Sequence, residues 1–115
     1  MRYMLLIYAS ETDYSHMTSE EHAAIMQGHG TFAQEAMQRG ILMGGAPLQP
    51  TSTAMTVRIR KGKTLVTDGP FAETKEQLAG TYMLDCKNLD EAIELATQIP
   101  DALHGSIEIR PLMEM

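Results

Sequence analysis

Residues 3–9 read Tyr3-Met4-Leu5-Leu6-Ile7-Tyr8-Ala9, seven residues with no charge and no strand breaker. A strand with one wet face alternates apolar and polar residues, whereas an unbroken apolar run of this length marks a strand buried on both faces. Outward from it the pattern changes period. Thr18-Ser19-Glu20-Glu21 has the form of a capping box and Gly40 suits the position just past a helix end, which predicts a helix over about residues 19–39. Ile41–Leu48 reads as a strand stopped by Pro50. Met55, Val57 and Ile59 alternate with Thr56, Arg58 and Arg60, a half-buried strand that Lys61-Gly62-Lys63 turns back into Thr64–Thr67. Leu78–Cys86 is a further strand. Asn88 caps a second helix whose apolar stripe is Leu89, Ala92, Ile93, Ala96 and Ile99, closed by Pro100. Ile107 and Ile109, alternating with Glu108 and Arg110, make the last strand.

The order is β-α-β, a hairpin, then β-α-β, over one domain spanning residues 1–115 with no repeat or linker. This is an α+β pattern, ferredoxin-like with an inserted β-hairpin. Two helices cover only one face of such a sheet, yet Tyr3–Ala9 is apolar on both sides. The cheapest cover for the second face is another copy of the chain, so a homodimer is expected.

Composition narrows the function. The net charge is −6 and the nine Lys and Arg residues are scattered, which argues against a nucleic-acid partner because phosphate binding needs clustered cations. The one basic cluster, Arg58 to Lys63, reads as the polar side and turn of the hairpin. Cys86 is the single cysteine, so no intrachain disulfide forms and a reducing compartment fits; among apolar neighbours it reads as an inert buried thiol. Glu11 and Asp13 end the first apolar run too early for a signal peptide, and no segment approaches membrane-spanning length. A cytoplasmic protein with no membrane contact is expected.

The first helix carries a row, His22, Ile25, His29, Phe32 and Ala36, at spacings of three and four, so all five share one face. Gly28 and Gly30 flank His29, each costing roughly 1 kcal/mol against Ala in a helix interior. Glycines there let another backbone or a ligand come close. A histidine so placed is either a hydrogen-bonded core residue or a general acid or base, since its pKa lies near neutrality. His22 is a candidate ligand-binding residue on the same row. A metal shared by His22 and His29 is rejected, because seven residues of helix separate them by roughly 10 Å. No phosphate loop, dinucleotide fingerprint, nucleophile elbow or zinc spacing is present, so no cofactor is expected.

Residues 68–80, Asp68-Gly69-Pro70-Phe71-Ala72-Glu73-Thr74-Lys75-Glu76-Gln77-Leu78-Ala79-Gly80, form the oddest local run. Asp-Gly-Pro is a tight turn signal, but an aromatic and both signs of charge follow it. Such a turn is a candidate to line a cleft. Asp68 is then a cleft carboxylate or a turn cap. Glu73 and Lys75 bind a polar ligand or form a surface pair, and Phe71 reads as a plug in the core.

This run, DGPFAETKE over residues 68–76, resembles the signature of the YCII-related family in its DGPF-domain branch. The likeness extends to Arg2–Tyr8, to Gly44-Gly45-Ala46-Pro47-Leu48 and to Ile109–Glu114, and so spans the chain. The resemblance implies a dimeric α/β-barrel type of assembly, in which two sheets pack face to face. It also implies a histidine on the first helix paired with an aspartate near mid-chain in a barrel cleft, here His29 and Asp68. A cofactor-independent acid–base enzyme of lyase or isomerase type, acting on a small polar organic substrate, would follow. The alternative is a non-catalytic metabolite-binding or accessory module, linked through the same resemblance to sigma-factor regulation.

Overall fold

The computed structural model describes residues 1–114. Its strands are β1 (Arg2–Ala9), β2 (Leu42–Pro47), β3 (Met55–Arg60), β4 (Lys63–Asp68), β5 (Gln77–Asp85) and β6 (Ser106–Pro111). The helices are α1 (Glu11–Ser15), α2 (Ser19–Gln38) and α3 (Leu89–Ala96), and short 3-10 turns occupy Thr51–Thr53 and Pro100–Leu103. Four strands form an antiparallel sheet in the order β2-β5-β1-β6, the order of a ferredoxin-like α+β domain. Strands β3 and β4 pair only with each other, as a separate two-stranded ribbon.

Local chemistry accounts for the element ends. Thr18 Oγ1 accepts from the Glu21 amide at 3.1 Å, and the Glu21 carboxylate accepts from the Thr18 amide at 3.0 Å, closing the capping box of α2. Gly40, at φ 69°, turns the chain out of the helix. Asn88 Oδ1 accepts from the Glu91 amide at 3.0 Å and starts α3. The α3 stripe and α2 row then bury the sheet. Leu5, Leu84, Phe32, Leu95 and Ile99 are fully enclosed, joined by Tyr3, Ile7 and Ala36. Cys86 lies in the same core, where burial pushes its thiol up, away from reactive thiolate.

Strand β1, expected to be buried on both faces, is buried within the chain on one face only. Tyr3, Leu5 and Ile7 point to the helices, while Met4, Leu6 and Tyr8 are only half-buried on the opposite side. That side is apolar at its centre, where Met4 pairs with Met83, and polar at the β6 edge, where Tyr8 donates to Glu108 and Arg110 pairs with Glu108. The chain is more extended than its length demands. Its radius of gyration is 16.1 Å, against roughly 13 Å for a compact domain of this size.

The ribbon and the following loop correct one expectation. Phe71 is not a core plug; its ring is 79% exposed. Gly69, at φ 94°, makes the turn, and polar bonds hold the loop instead of an apolar anchor. The Gly69 amide donates to Ala54 O at 2.7 Å, Thr56 Oγ1 donates to Gly69 O at 2.8 Å, and Arg58 donates to Phe71 O at 3.3 Å. With backbone atoms as the attachment points, the ring is left facing outward.

Candidate functional site

The two glycines of α2 have different environments. A Cβ on Gly30 would meet nothing within 4 Å, whereas a Cβ on Gly28 would overlap the Pro100 ring. Gly28 therefore lets the Pro100–Leu103 turn lie directly against α2. Proline suits the first position of that turn, where its missing N–H leaves no bond unmade. The next residue, Asp101, is thereby delivered to His29.

His29 Nε2 lies 2.5 Å from Asp101 Oδ1, and His29 Nδ1 lies 2.8 Å from the Tyr82 hydroxyl. The two carboxyl and imidazole side chains are largely enclosed, at 13% and 22% exposure. A carboxylate only accepts, so Nε2 carries the hydrogen toward Asp101. In neutral imidazole Nδ1 is then bare and accepts the Tyr82 O–H. Tyr82 comes from β5, opposite Leu5, and its ring packs at 4.7 Å between centroids on Phe32 of the α2 row. Burial, reinforced by the negative charge of Asp101, pushes the Tyr82 phenol above its ordinary value. The result is a carboxylate–imidazole–phenol chain of three side chains drawn from three separate elements.

All three line one cleft of about 610 Å³ between the sheet and α2. Ile7, Ile25, Leu48, Leu78 and Pro47 give it an apolar wall, and α1 closes one side with Tyr14 and Ser15. Glu11 at the α1 end is tied down: its carboxylate accepts from the Thr51 amide at 2.8 Å and from Thr51 Oγ1 at 3.1 Å, and its own amide donates to Gln77. Among the described residues no three His, Cys, Asp or Glu side chains converge as metal ligands, and no helix is long and apolar enough to cross a membrane.

The remaining candidates fall elsewhere. Asp68 ends β4, is exposed and pairs through its backbone with Met55 of the ribbon, so the expected His29–Asp68 bond is not formed within the chain. The reason is topological: among the described residues β4 pairs only with β3, outside the four-stranded sheet, while both ring nitrogens of His29 already have partners in Tyr82 and Asp101. Glu73 and Lys75 are exposed in the loop before β5 and form no ion pair with each other. His22 stacks on Tyr14 at 4.4 Å and bonds Tyr14 O through Nε2 at 2.8 Å, fastening α1 to α2 beside the cleft without lining it. Sequence reasoning did not reach Tyr82 or Asp101. Tyr82 sits in a strand where a core aromatic is ordinary, and Asp101 looks like any acidic residue after a helix-ending proline. The one available signal was Gly28, which reports a close approach without saying what approaches.

The fold and the cleft define a small α+β domain with a ferredoxin-like strand order and a part-buried Asp101–His29–Tyr82 hydrogen-bonded cluster between the sheet and α2. Residues 1–115 match the YCII-related domain, and the chain belongs to that family. It is also similar to an uncharacterised protein of Rhizobium meliloti (strain 1021), 42% identical over 114 residues that cover 97% of this chain and 92% of the relative.

Proposed function

We propose that the chain is a cofactor-independent acid–base enzyme of lyase or isomerase type, working on a small organic molecule held between the sheet and α2. The observation that carries this reading is the Asp101–His29–Tyr82 chain at the wall of an apolar cleft. A proton leaving a substrate carbon or hydroxyl would pass to the Tyr82 oxygen as the phenol proton moves to His29 Nδ1. The imidazolium so formed is stabilised by Asp101, and the reverse transfer returns a proton to the product. His29 keeps the acid–base role expected of it, and Asp101 takes the orienting role first given to Asp68. Incubation with acetophenone in D2O tests this: wild-type protein should catalyse exchange of the methyl hydrogens, seen by NMR, and His29→Gln should abolish it.

A second reading, a metabolite-binding or accessory module of the kind the DGPF branch links to sigma-factor regulation, is favoured by one observation. Both His29 ring nitrogens are occupied inside the chain, an arrangement that also suits a purely structural histidine. Absence of exchange together with saturable binding would select it.

In either case we infer a cytoplasmic homodimer of the dimeric α/β-barrel type. The support is an accessible surface of 8109 Å² against roughly 6,200 Å² for a compact monomer of this mass. The excess exceeds the roughly 800 Å² per partner that a standard interface buries. Apolar surface suited to such an interface includes one side of the ribbon, where Met55, Val57, Ile59 and Val66 are exposed, and the half-buried Met4, Leu6 and Met83 of the open sheet face. Light scattering should report about twice 12.7 kDa.

A further inference from the structure

The cleft has a charge character that limits what enters it. Its lining includes two carboxylates, Glu11 and Asp101, and no Lys or Arg. Glu11 is held by neutral donors of Thr51, and any charge on His29 is balanced by Asp101, so the wall offers no unmatched cation to an incoming anion. The rest of the lining is mainly apolar, with the neutral side chains of Ser10, Ser15, Gln49, Gln77 and Thr81 among it, and the His29 end carries the Tyr82 hydroxyl. We propose that this site takes an uncharged ligand with an apolar body and one oxygen function, a ketone or hydroxyl, and rejects carboxylates and phosphates. The oxygen function meets the Tyr82 hydroxyl. That hydroxyl serves both kinds of ligand: when neutral His29 accepts its hydrogen, the phenol oxygen accepts from a ligand hydroxyl. When His29 carries both protons, the phenol hydrogen is free for a ligand carbonyl.

The physical ground is desolvation. An anion entering a low-dielectric cleft loses its hydration and finds like charge, which is doubly unfavourable, whereas a neutral hydroxyl regains its lost water contact at the Tyr82 oxygen and a ketone does so when His29 holds both protons. This departs from the small polar substrate expected from the sequence. It rests on the ligand reaching Tyr82 as in the acid–base reading, but it does not require turnover.

Acetophenone and benzoate are near-isosteric and differ in charge, and their binding to isotopically labelled protein is followed by NMR. Acetophenone should bind at least about tenfold more tightly than benzoate and shift the amides of Gly45, Gly80 and Tyr82. Tyr82→Phe should weaken it about fivefold, the loss of one neutral hydrogen bond. Met26→Arg places a cation at an exposed position of the lining and should raise benzoate affinity about tenfold. Equal or tighter binding of benzoate to wild type, no binding of acetophenone, shifts confined to another surface, or a benzoate affinity unmoved by Met26→Arg would each overturn the inference. Acetophenone binding without deuterium exchange would leave the inference standing and remove only the enzyme.

Discussion

Pro100 rests in the space left by the absent side chain of Gly28, and this contact sets His29, one residue along the same helix, against Asp101. A backbone choice in α2 thus controls a side-chain pair whose members are 72 residues apart. The two flanking glycines of His29 make a natural comparison, since only one of them is filled from outside.

Gly30→Ala should stabilise the chain by roughly 0.5–1 kcal/mol, because the helix gains propensity and the new methyl meets nothing. Gly28→Ala should fall below it by about 1–3 kcal/mol, the usual cost of overpacking. Urea unfolding of the two variants measures the difference. Equal stabilities would mean that the Pro100 turn moves aside freely and does not depend on Gly28.

Asp101→Asn should lose about 1 kcal/mol, as a charge-assisted hydrogen bond becomes a neutral one. It should also change the nitrogen chemical shifts of the His29 ring, because the amide no longer dictates which nitrogen carries the hydrogen. Asp68→Asn, at an exposed ribbon position, should stay within about 0.5 kcal/mol of wild type and leave the His29 ring signals in place. The reverse pattern would restore Asp68 as the partner of His29 and remove Asp101.

Tyr82 gives an alkaline signature. The folded chain holds its phenol protonated above the ordinary value of 10.0, while the unfolded chain ionises near that value. Above it the unfolded state binds fewer protons than the folded state, so stability falls as pH rises. The contribution is whole below pH 10 and is lost on passing through the folded pKa. The stability advantage of wild type over Tyr82→Phe should therefore shrink as denaturation is measured from below pH 10 to above it. A constant difference would mean that the phenol is not held neutral by its surroundings.

The two phenylalanines should behave oppositely. Phe32, 1% exposed, should cost roughly 3–5 kcal/mol on replacement by alanine. Phe71→Ala should change the stability of the folded chain by less than about 0.5 kcal/mol. If thermal unfolding instead places Phe71→Ala near Phe32→Ala, the ring is buried in solution, most simply against a second copy.

Much of this architecture is readable along the chain because it is specified locally. The Thr18–Glu21 box and Asn88 cap bond atoms three residues away, and the row containing His29 follows from helical period alone. The alternation of Tyr3, Leu5 and Ile7 with Met4, Leu6 and Tyr8 likewise follows from the two-residue period of a strand. Phe71 shows the limit of such reading. Its apolar ring next to a turn predicts an anchor, but whether a pocket lies beneath it depends on where the whole ribbon sits.

By itself, then, the sequence determined the six strands, the two longer helices and the presence of a histidine on the sheet-facing side of α2, since each is a matter of neighbours within a turn or two. The short helix α1, in what reads as a polar loop, was not legible. Only the tertiary structure decided what His29 touches. Tyr82 reaches it through the register of β5 on β1, and Asp101 through the fit of Pro100 on Gly28, at separations of 53 and 72 residues. Helical and strand periods are short-range properties and carry no information across such distances; the pairing is set when the sheet and helices close on a common core.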